Sequence, residues 1–487
     1  MLSYDMNARG ETSRYEYLYQ CIRNDIVAGR ISAGEKLPSK RRLAQHLGVG
    51  LVTVESAYAQ LVAEGYVRSH ERRGYFAQEL PQSLRPDVRL ANGAFGQAED
   101  TGQRARQTPG NAALALPAPK PLVADFSRPG TGGFDAVGAF WTRALRSCMS
   151  HESYEDLFGP QPVWGNERLR CAIAAYLRGA RGMGVDPDRI FIGAGAQMLY
   201  DVVVKLLGPN RVYAVEDPGY PRLADTYRAD GARVAFVSVD DEGMSVDALR
   251  ATDADVAHIT PSHQFPTGRP MTVARRYQVL SWAYEAPERA IVEDDYDWEF
   301  RFSGMPIPSL AAIDAGGRVC YLSTFSKSLS SALRIAYLVV PQGLAGAAEE
   351  RLSFYANTVS AIQQIALART LESGAYERHL SRYRKQQREV RDALIDALKA
   401  QMGAAARILE ADSGLHFVLE IDSSRTEDDI ARRALDEGVR LAPLGSYVQQ
   451  EKAGSSQLQP PRFVVQYAGL SLDKAQEAAR IVAGAAR

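Results

Sequence analysis

The sequence predicts a multidomain chain in which a small α+β module, built as a helix-turn-helix with a hairpin, precedes a large α/β domain. Three observations carry this expectation. At 487 residues the chain exceeds one ordinary domain. Short amphipathic helical patterns fill the stretch before residue 80. From Val123 onward, apolar runs of strand length alternate with helical patterns and end in polar motifs, as a parallel sheet requires. A hydrophobic content of 46% against 24% charged residues is that of a globular chain with a sizeable core. The net charge of −1 excludes no partner, because a basic module and an acidic one cancel.

At the N-terminus, Tyr15, Leu18, Tyr19, Ile22 and Ile26 recur at helical spacing and stop at Gly29. Ser39 is placed to cap a second helix that carries Leu43, Ala44 and Leu47 and closes at Gly48. A third helix is expected from about Leu51 to Glu64, with Val54, Ala57, Tyr58 and Leu61 inward and Gly65 as its stop. Tyr66-Val67-Arg68 and Gly74-Tyr75-Phe76 then form two short strands around a charged turn. This is the winged-helix plan. From Lys36 to Arg73 the chain carries seven Lys and Arg against three acidic residues. A patch that small is ordinarily a solvated face, and only the motif around it points to nucleic acid.

The chain then changes character. Pro81, Pro86, Pro109, Pro117, Pro119 and Pro121 mix with Gly, Ala and Gln without an apolar period, so a flexible linker is expected over 81–122. The organisation expected is therefore 1–80, linker, 123–487. Cys21, Cys148, Cys171 and Cys320 lie far apart in apolar or helical contexts, which predicts buried free thiols in a reducing compartment and no metal site. No basic segment leads into an apolar one at Met1-Leu2-Ser3, and no apolar run reaches membrane-spanning length. A cytoplasmic protein without membrane contact is expected.

In the large domain, Val212 to Val215, Val256 to Ile259, Ala290 to Val292 and Val319 to Leu322 read as strands buried on both faces. They lead into Glu216-Asp217-Pro218-Gly219-Tyr220, Thr260 to Gly268, Glu293-Asp294-Asp295-Tyr296, and Ser323 to Lys327. Ligands of open α/β sheets bind beyond the carboxyl ends of the strands, so the four motifs are expected to converge on one site. Lys327, alone among small hydroxyl residues, is suited to hold an aldehyde as a Schiff base, and Arg334 adds a fixed cation for a phosphate.

The run Gly34-Glu35-Lys36-Leu37-Pro38-Ser39-Lys40-Arg41-Arg42-Leu43-Ala44, with Leu47-Gly48-Val49, Thr53-Val54, Ala57-Tyr58, Leu61 and Glu64-Gly65-Tyr66, resembles the winged-helix domain of GntR-type regulators. The resemblance implies a double-stranded DNA operator. Ser39, Lys40, Arg41 and Arg42 would contact phosphate at a helix start. Val52, Thr53 and Ser56 would enter the major groove, and Arg72, Arg73 and Gly74 would form the wing tip. The family commonly has an arginine near the start of the recognition helix, where this chain has Gly50-Leu51-Val52. A helix-turn-helix used for protein contacts is the alternative.

Thr260 to Gly268, Glu293 to Phe300 and Thr324 to Arg334 resemble fold-type-I aminotransferases, with a small C-terminal α+β subdomain. The order of winged helix, linker and this domain is similar to the MocR-type branch of the GntR family. The resemblance implies pyridoxal 5'-phosphate as cofactor and Lys327 as its Schiff-base lysine. Asp294 would pair with the pyridine nitrogen, unless Asp295 takes that role. Tyr296 would bond the ring's phenolic oxygen and Tyr220 would stack on the ring. Arg334, Thr324 and Ser326, with the backbone of Ala196 and Gln197, would cradle the phosphate. His263 and Gln264 sit where related enzymes hold the ring oxygen, although Phe265 replaces their asparagine.

The resemblance places Val464 where the carboxylate-binding arginine is usual, with Arg462 as its candidate substitute. Arg462, two residues earlier on the same strand face, and Arg222, two residues after Tyr220, are the candidate effector contacts. The resemblance thus implies a homodimer with winged helices docked across subunits. It would sense an amine, an amino acid or pyridoxal phosphate itself and control genes of amino-compound or vitamin B6 metabolism. A working aminotransferase that carries a DNA-binding domain is the second reading, and a scaffold without cofactor the third.

Overall fold

The computed structural model describes residues 2–487 apart from 3, 7–11, 28, 71–72, 79–121, 129–133, 303–306 and 451–459. The expected linker, but for Leu122, and Arg72 of the wing tip lie outside the described residues.

The N-terminal module consists of α1 (Arg14–Val27), α2 (Lys40–Leu47), α3 (Leu51–Ala63), β1 (Val67–His70) and β2 (Gly74–Ala77). Ser39 Oγ accepts the Arg42 N–H at 3.3 Å and so caps α2, and Gly48 ends it at φ 64°, a left-handed turn that a glycine adopts without strain. The strands pair antiparallel, Val67 opposite Ala77 and His70 opposite Gly74. Leu18, Ile22, Leu43, Val54, Tyr58 and Leu61 form a core of their own. One residue from far along the chain, Val273, completes it.

The large domain is organised on an eight-stranded sheet. Its strands run in the order Ile190–Gly193, Ala336–Val339, Val319–Thr324, Ala290–Asp294, Val256–Ile259, Val212–Asp217, Arg233–Asp240 and Gly243–Met244. The middle four of the sequence expectation are contiguous and mutually parallel. Ala336–Val339 runs antiparallel to both its neighbours. Every residue of the four contiguous strands is buried, which explains why they read as unbroken apolar runs rather than alternations. Because they point the same way, their carboxyl ends lie side by side and carry the four polar motifs to one edge.

A smaller antiparallel sheet follows, in the order Ala406–Leu409, His416–Ile421, Arg462–Gln466 and Ala442–Pro443. Phe417, Leu419, Phe463 and Val465 turn one of its faces into the main core. Among the described residues no helix is long and apolar enough to cross a membrane. All four cysteines are free. Cys148 and Cys320 are buried as expected, whereas Cys171 is exposed on the outer face of the helix Glu167–Arg181 and Cys21 is half-buried.

The N-terminal module sits on the helix Val273–Tyr284 of the same chain. The Val273 N–H donates to the Glu64 carbonyl at 3.2 Å, and Tyr277 packs against the module's core. Glu64 is buried there, accepting from Tyr19 Oη and Gln60 Nε2, and burial pushes its carboxyl above the usual range.

Candidate functional site

Lys327 follows the strand Val319–Thr324 in a tight turn, its Nζ 5.7 Å from the centroid of the Tyr296 ring. Desolvation lowers its amine below the usual lysine range, against the opposing pull of Asp297 and Asp294. A larger share of neutral amine, the nucleophilic form, results.

Alternation along the strand Ala290–Asp294 sorts the acidic run. Glu293 accepts the backbone N–H groups of Leu310 and Ala311, each at 2.8 Å. Asp295 is held by Arg181 and by Tyr321 Oη, the latter at 2.8 Å. Asp294 points the other way. Its Oδ2 accepts from Tyr200 Oη at 2.5 Å and lies 3.6 Å from His258 Nε2, and His258 Nδ1 meets Tyr227 Oη at 2.6 Å. Asp294 Oδ1 is buried and has no hydrogen-bond partner among the described residues. Each of the two neighbouring aspartates keeps one unpartnered buried oxygen among the described residues, but Asp295 is committed to Arg181, whereas Asp294 has no arginine or lysine partner there.

Tyr296 Oη donates to the His263 carbonyl at 3.0 Å, and burial holds the phenol protonated, well above its usual range. His263 Nδ1 lies 2.8 Å from Asp297 Oδ2, and the His416 ring sits 4.3 Å from the His263 ring. One donor atom each from His263, Asp297 and His416 falls within 4.8 Å of the others. Gln264, buried, turns away and donates to the Pro218 carbonyl at 2.9 Å. Tyr220, 42% exposed, caps the helix Pro221–Ala229 at the mouth of the site, its ring 6.0 Å from that of Phe265. Arg222 lies exposed in the first turn of the same helix.

The residues expected to cradle a phosphate combine backbone and side-chain groups. The helix Ala196–Leu207 begins at Gly195, φ 90°, with no side-chain cap, which leaves its first N–H groups open. Arg334, a non-glycine residue at φ 52°, brings its guanidinium against Gly195 and has no carboxylate partner among the described residues. Thr324 Oγ1 bonds Ser326 Oγ at 2.8 Å and the Ser326 N–H at 3.1 Å, so both hydroxyls are fixed beside it.

Arg462 is placed elsewhere. Its Nε and Nη2 bind Glu420 Oε2 at 2.8 and 2.7 Å, directly across the strand pair, while Arg407 takes the other oxygen of Glu420.

On the N-terminal module, Val52 is 72% exposed and Arg41, Arg42 and Arg73 are exposed. Thr53 and Ser56 are half-buried. Lys40 is engaged by Glu55 at 2.8 Å. The recognition helix α3 starts at Gly50 without a side-chain cap, leaving N–H groups toward solvent. Gly74, at φ 107°, lets the wing turn pass close to the Lys36 side chain.

Tyr200, His258, Asp297 and His416 are the residues that sequence reading did not find. Tyr200 lies one turn after Ala196 on the helix already assigned to the phosphate, a signal that was available. His416 stands singly in an apolar strand, which reads as core.

Two family models match. Residues 14–76 match the bacterial regulatory proteins of the gntR family, and residues 137–482 match aminotransferase class I and II. The HTH-type transcriptional regulator YdeL of Bacillus subtilis is 35% identical over 430 residues, 88% of this chain and 89% of that protein. The probable rhizopine catabolism regulatory protein MocR of Rhizobium meliloti is 31% identical over 450 residues, 91% of this chain and 88% of that protein. Among solved structures, the α-aminoadipate aminotransferase LysN of Thermus thermophilus, complexed with N-(5'-phosphopyridoxyl)-L-leucine, superposes with a TM-score of 0.61 at 25% identity, covering 75% of this chain and 92% of that one. With a gntR-type helix-turn-helix joined to an aminotransferase class I and II domain along one chain, the protein belongs to the MocR-type branch of the GntR family of regulators.

Proposed function

We propose that the chain is a transcriptional regulator that binds double-stranded operator DNA as a homodimer and reads a small amine, an amino acid or pyridoxal phosphate itself through a pyridoxal phosphate held at Lys327. The observation that carries the reading is an unsatisfied acceptor together with a cationic cradle among the residues at the strand ends. Asp294 Oδ1 is a buried acceptor with no donor among the described residues, and Gly195 with Arg334 leaves a cationic cradle that a single Cβ would fill. A protonated pyridine nitrogen suits the first and a phosphate the second.

When bound, the cofactor would supply an electrophilic aldehyde carbon, the partner chemistry for a primary amine. Lys327, its amine depressed by burial, provides the resident amine. Asp294, oriented by Tyr200, would hold the proton on the ring nitrogen. Tyr296, kept protonated, donates to an oxygen. Arg334, Thr324, Ser326 and the N–H groups of Ala196 and Gln197 would bind the phosphate, and Tyr220 would cover the ring. On the DNA side, the exposed Arg41 and Arg42 supply phosphate contacts, with Val52 presented to the groove.

The experiment is an absorption spectrum and an operator-binding assay on the wild type and on Lys327→Ala. The expected result is a visible cofactor band lost in the variant, DNA binding retained, and an amine response of DNA binding abolished. An unchanged response in Lys327→Ala would defeat the reading. Stoichiometric release of a keto product from added amines would favour the aminotransferase alternative, which the intact set of Lys327, Asp294 and Arg334 keeps chemically open.

A further inference from the structure

Rings form the wall of the site from the lysine to the mouth. Lys327 Nζ faces the Tyr296 ring, Tyr296 adjoins His263, and His263 lies 4.3 Å from His416. Phe265 then joins His416 at 5.3 Å, Tyr447 at 5.2 Å and Tyr220 at 6.0 Å, all three edge to face. Such contacts build a surface that favours C–H groups and aromatic faces.

The small sheet joins this wall through His416. In the strands His416–Ile421 and Arg462–Gln466, Phe417, Leu419, Phe463 and Val465 enter the main core, so His416, Val418 and Val464 occupy the opposite face. His416 fixes the direction of that face, because its ring meets both His263 and Phe265. Val418 lies directly across from Val464, and both are fully buried. The cation of this face, Arg462, is held by Glu420 at the far end of the strand. His416 adds no charge, since burial together with the nearby His263 and Lys327 keeps its ring neutral. Arg334 belongs to the phosphate cradle, and Arg222 stands at the mouth. Beside His263, Arg181 is already paired with Asp295, so among the described residues of this wall and face a carboxylate next to the reacting amine would be desolvated among rings and valines without an uncommitted cation.

From this arrangement, which rests on the cofactor reading above, we propose that the effector is a primary amine with an apolar or aromatic body and no carboxylate on its amine-bearing carbon. Phe265 and the Val418–Val464 pair are the residues that set this preference.

The test uses full-length protein loaded with pyridoxal phosphate and follows the visible band during titration with two matched pairs, 2-phenylethylamine against L-phenylalanine and 3-methylbutylamine against L-leucine. Members of each pair differ only in the carboxylate. The expected result is that each amine half-saturates the change at a concentration lower by about tenfold or more than its acid twin. Val464→Arg should narrow or reverse that ratio. Phe265→Asn, at a half-buried ring, should narrow it too, and provides the comparison if Val464→Arg fails to keep cofactor. Equal or tighter response to the amino acids in the wild type overturns the effector class and leaves the cofactor reading intact. Absence of any visible band after pyridoxal phosphate is added overturns the cofactor reading, and this inference falls with it.

Discussion

Gly195 and the guanidinium of Arg334 share one space so closely that a Cβ on Gly195 would fall 2.3 Å from Arg334 Nη2. Two demands meet at that glycine, a φ of 90° and room for a cation. Gly195→Ala adds a left-handed penalty of about 1 kcal/mol or more and displaces the arginine. Since about 1.4 kcal/mol is a factor of ten, pyridoxal phosphate affinity should fall about tenfold or more, read by equilibrium dialysis of the full chain. Melting of the N-terminal module, which has its own core, should not change. Unaltered affinity would show that Arg334 does not meet the phosphate.

Glu216 predicts a pH dependence of stability. Its carboxyl is buried beneath the site, and desolvation raises it to about 7, against hydrogen bonds from Thr260 and Gln264. Folded protein keeps this proton where unfolded chain has released it. The contribution is therefore complete below about pH 4.5 and is lost as pH rises toward 7, a cost of about 3 kcal/mol above that. Glu216→Gln preserves the acceptor and cannot ionise. Its melting temperature relative to wild type should rise between pH 4.5 and 7 and level off above; a constant difference across that range would place the ionisation elsewhere.

Basic residues at the start of α2 are unequal. Lys40 is tied to Glu55 at 2.8 Å, whereas Arg41 and Arg42 make no ion pair among the described residues. The Lys40–Glu55 pair, partly exposed, adds little to stability. Replacing Arg41 or Arg42 by Ala should weaken binding to operator and to unrelated DNA alike. It should also lower the slope of log affinity against log salt by about 1 for each phosphate that is no longer neutralised. Lys40→Ala should change the slope less. A larger drop at Lys40 than at either arginine, measured by fluorescence anisotropy over a salt series, would reverse this ranking.

How much of this was legible in the chain follows from what each feature depends on. The strands that lead to Asp217, Asp294 and the turn of Lys327 were readable because a parallel sheet covered on both faces forces unbroken apolar runs, and the chemistry sits at their ends. The helix stops at Gly48 and Gly65 were readable because glycine relieves a positive φ locally, 64° and 76° here. Arg462 marks where such reading ends. Period-two alternation placed it correctly on the face of Val464, but its charge is claimed by Glu420, forty-two positions away, and cross-strand register is a tertiary fact. Asp297 and His416 escaped for the same reason, since each acquires meaning only from the ring of His263.

Val273 shows the same limit and carries the last prediction. It is an unremarkable valine at a helix start, yet it is 2% exposed within the core of the N-terminal module, and its N–H binds the carbonyl of Glu64 just after the recognition helix. Three residues on, Arg276 donates to the Pro261 carbonyl at 2.7 Å and faces Glu293 at 3.9 Å, so one helix meets both the end of the recognition helix and two of the motifs at the strand ends around Lys327. A ligand shifts the DNA-binding domain only if its two states differ in interaction energy, and this helix is where such a difference can be transmitted. Val273→Asp places a carboxylate in that apolar core at a cost of several kcal/mol and should undock the module. The expected outcome is an intact cofactor band with an unchanged amine titration, faster proteolysis between the two domains, and operator affinity that no longer responds to amine. Retained response in a variant shown by proteolysis to be undocked would mean that the signal travels by another route.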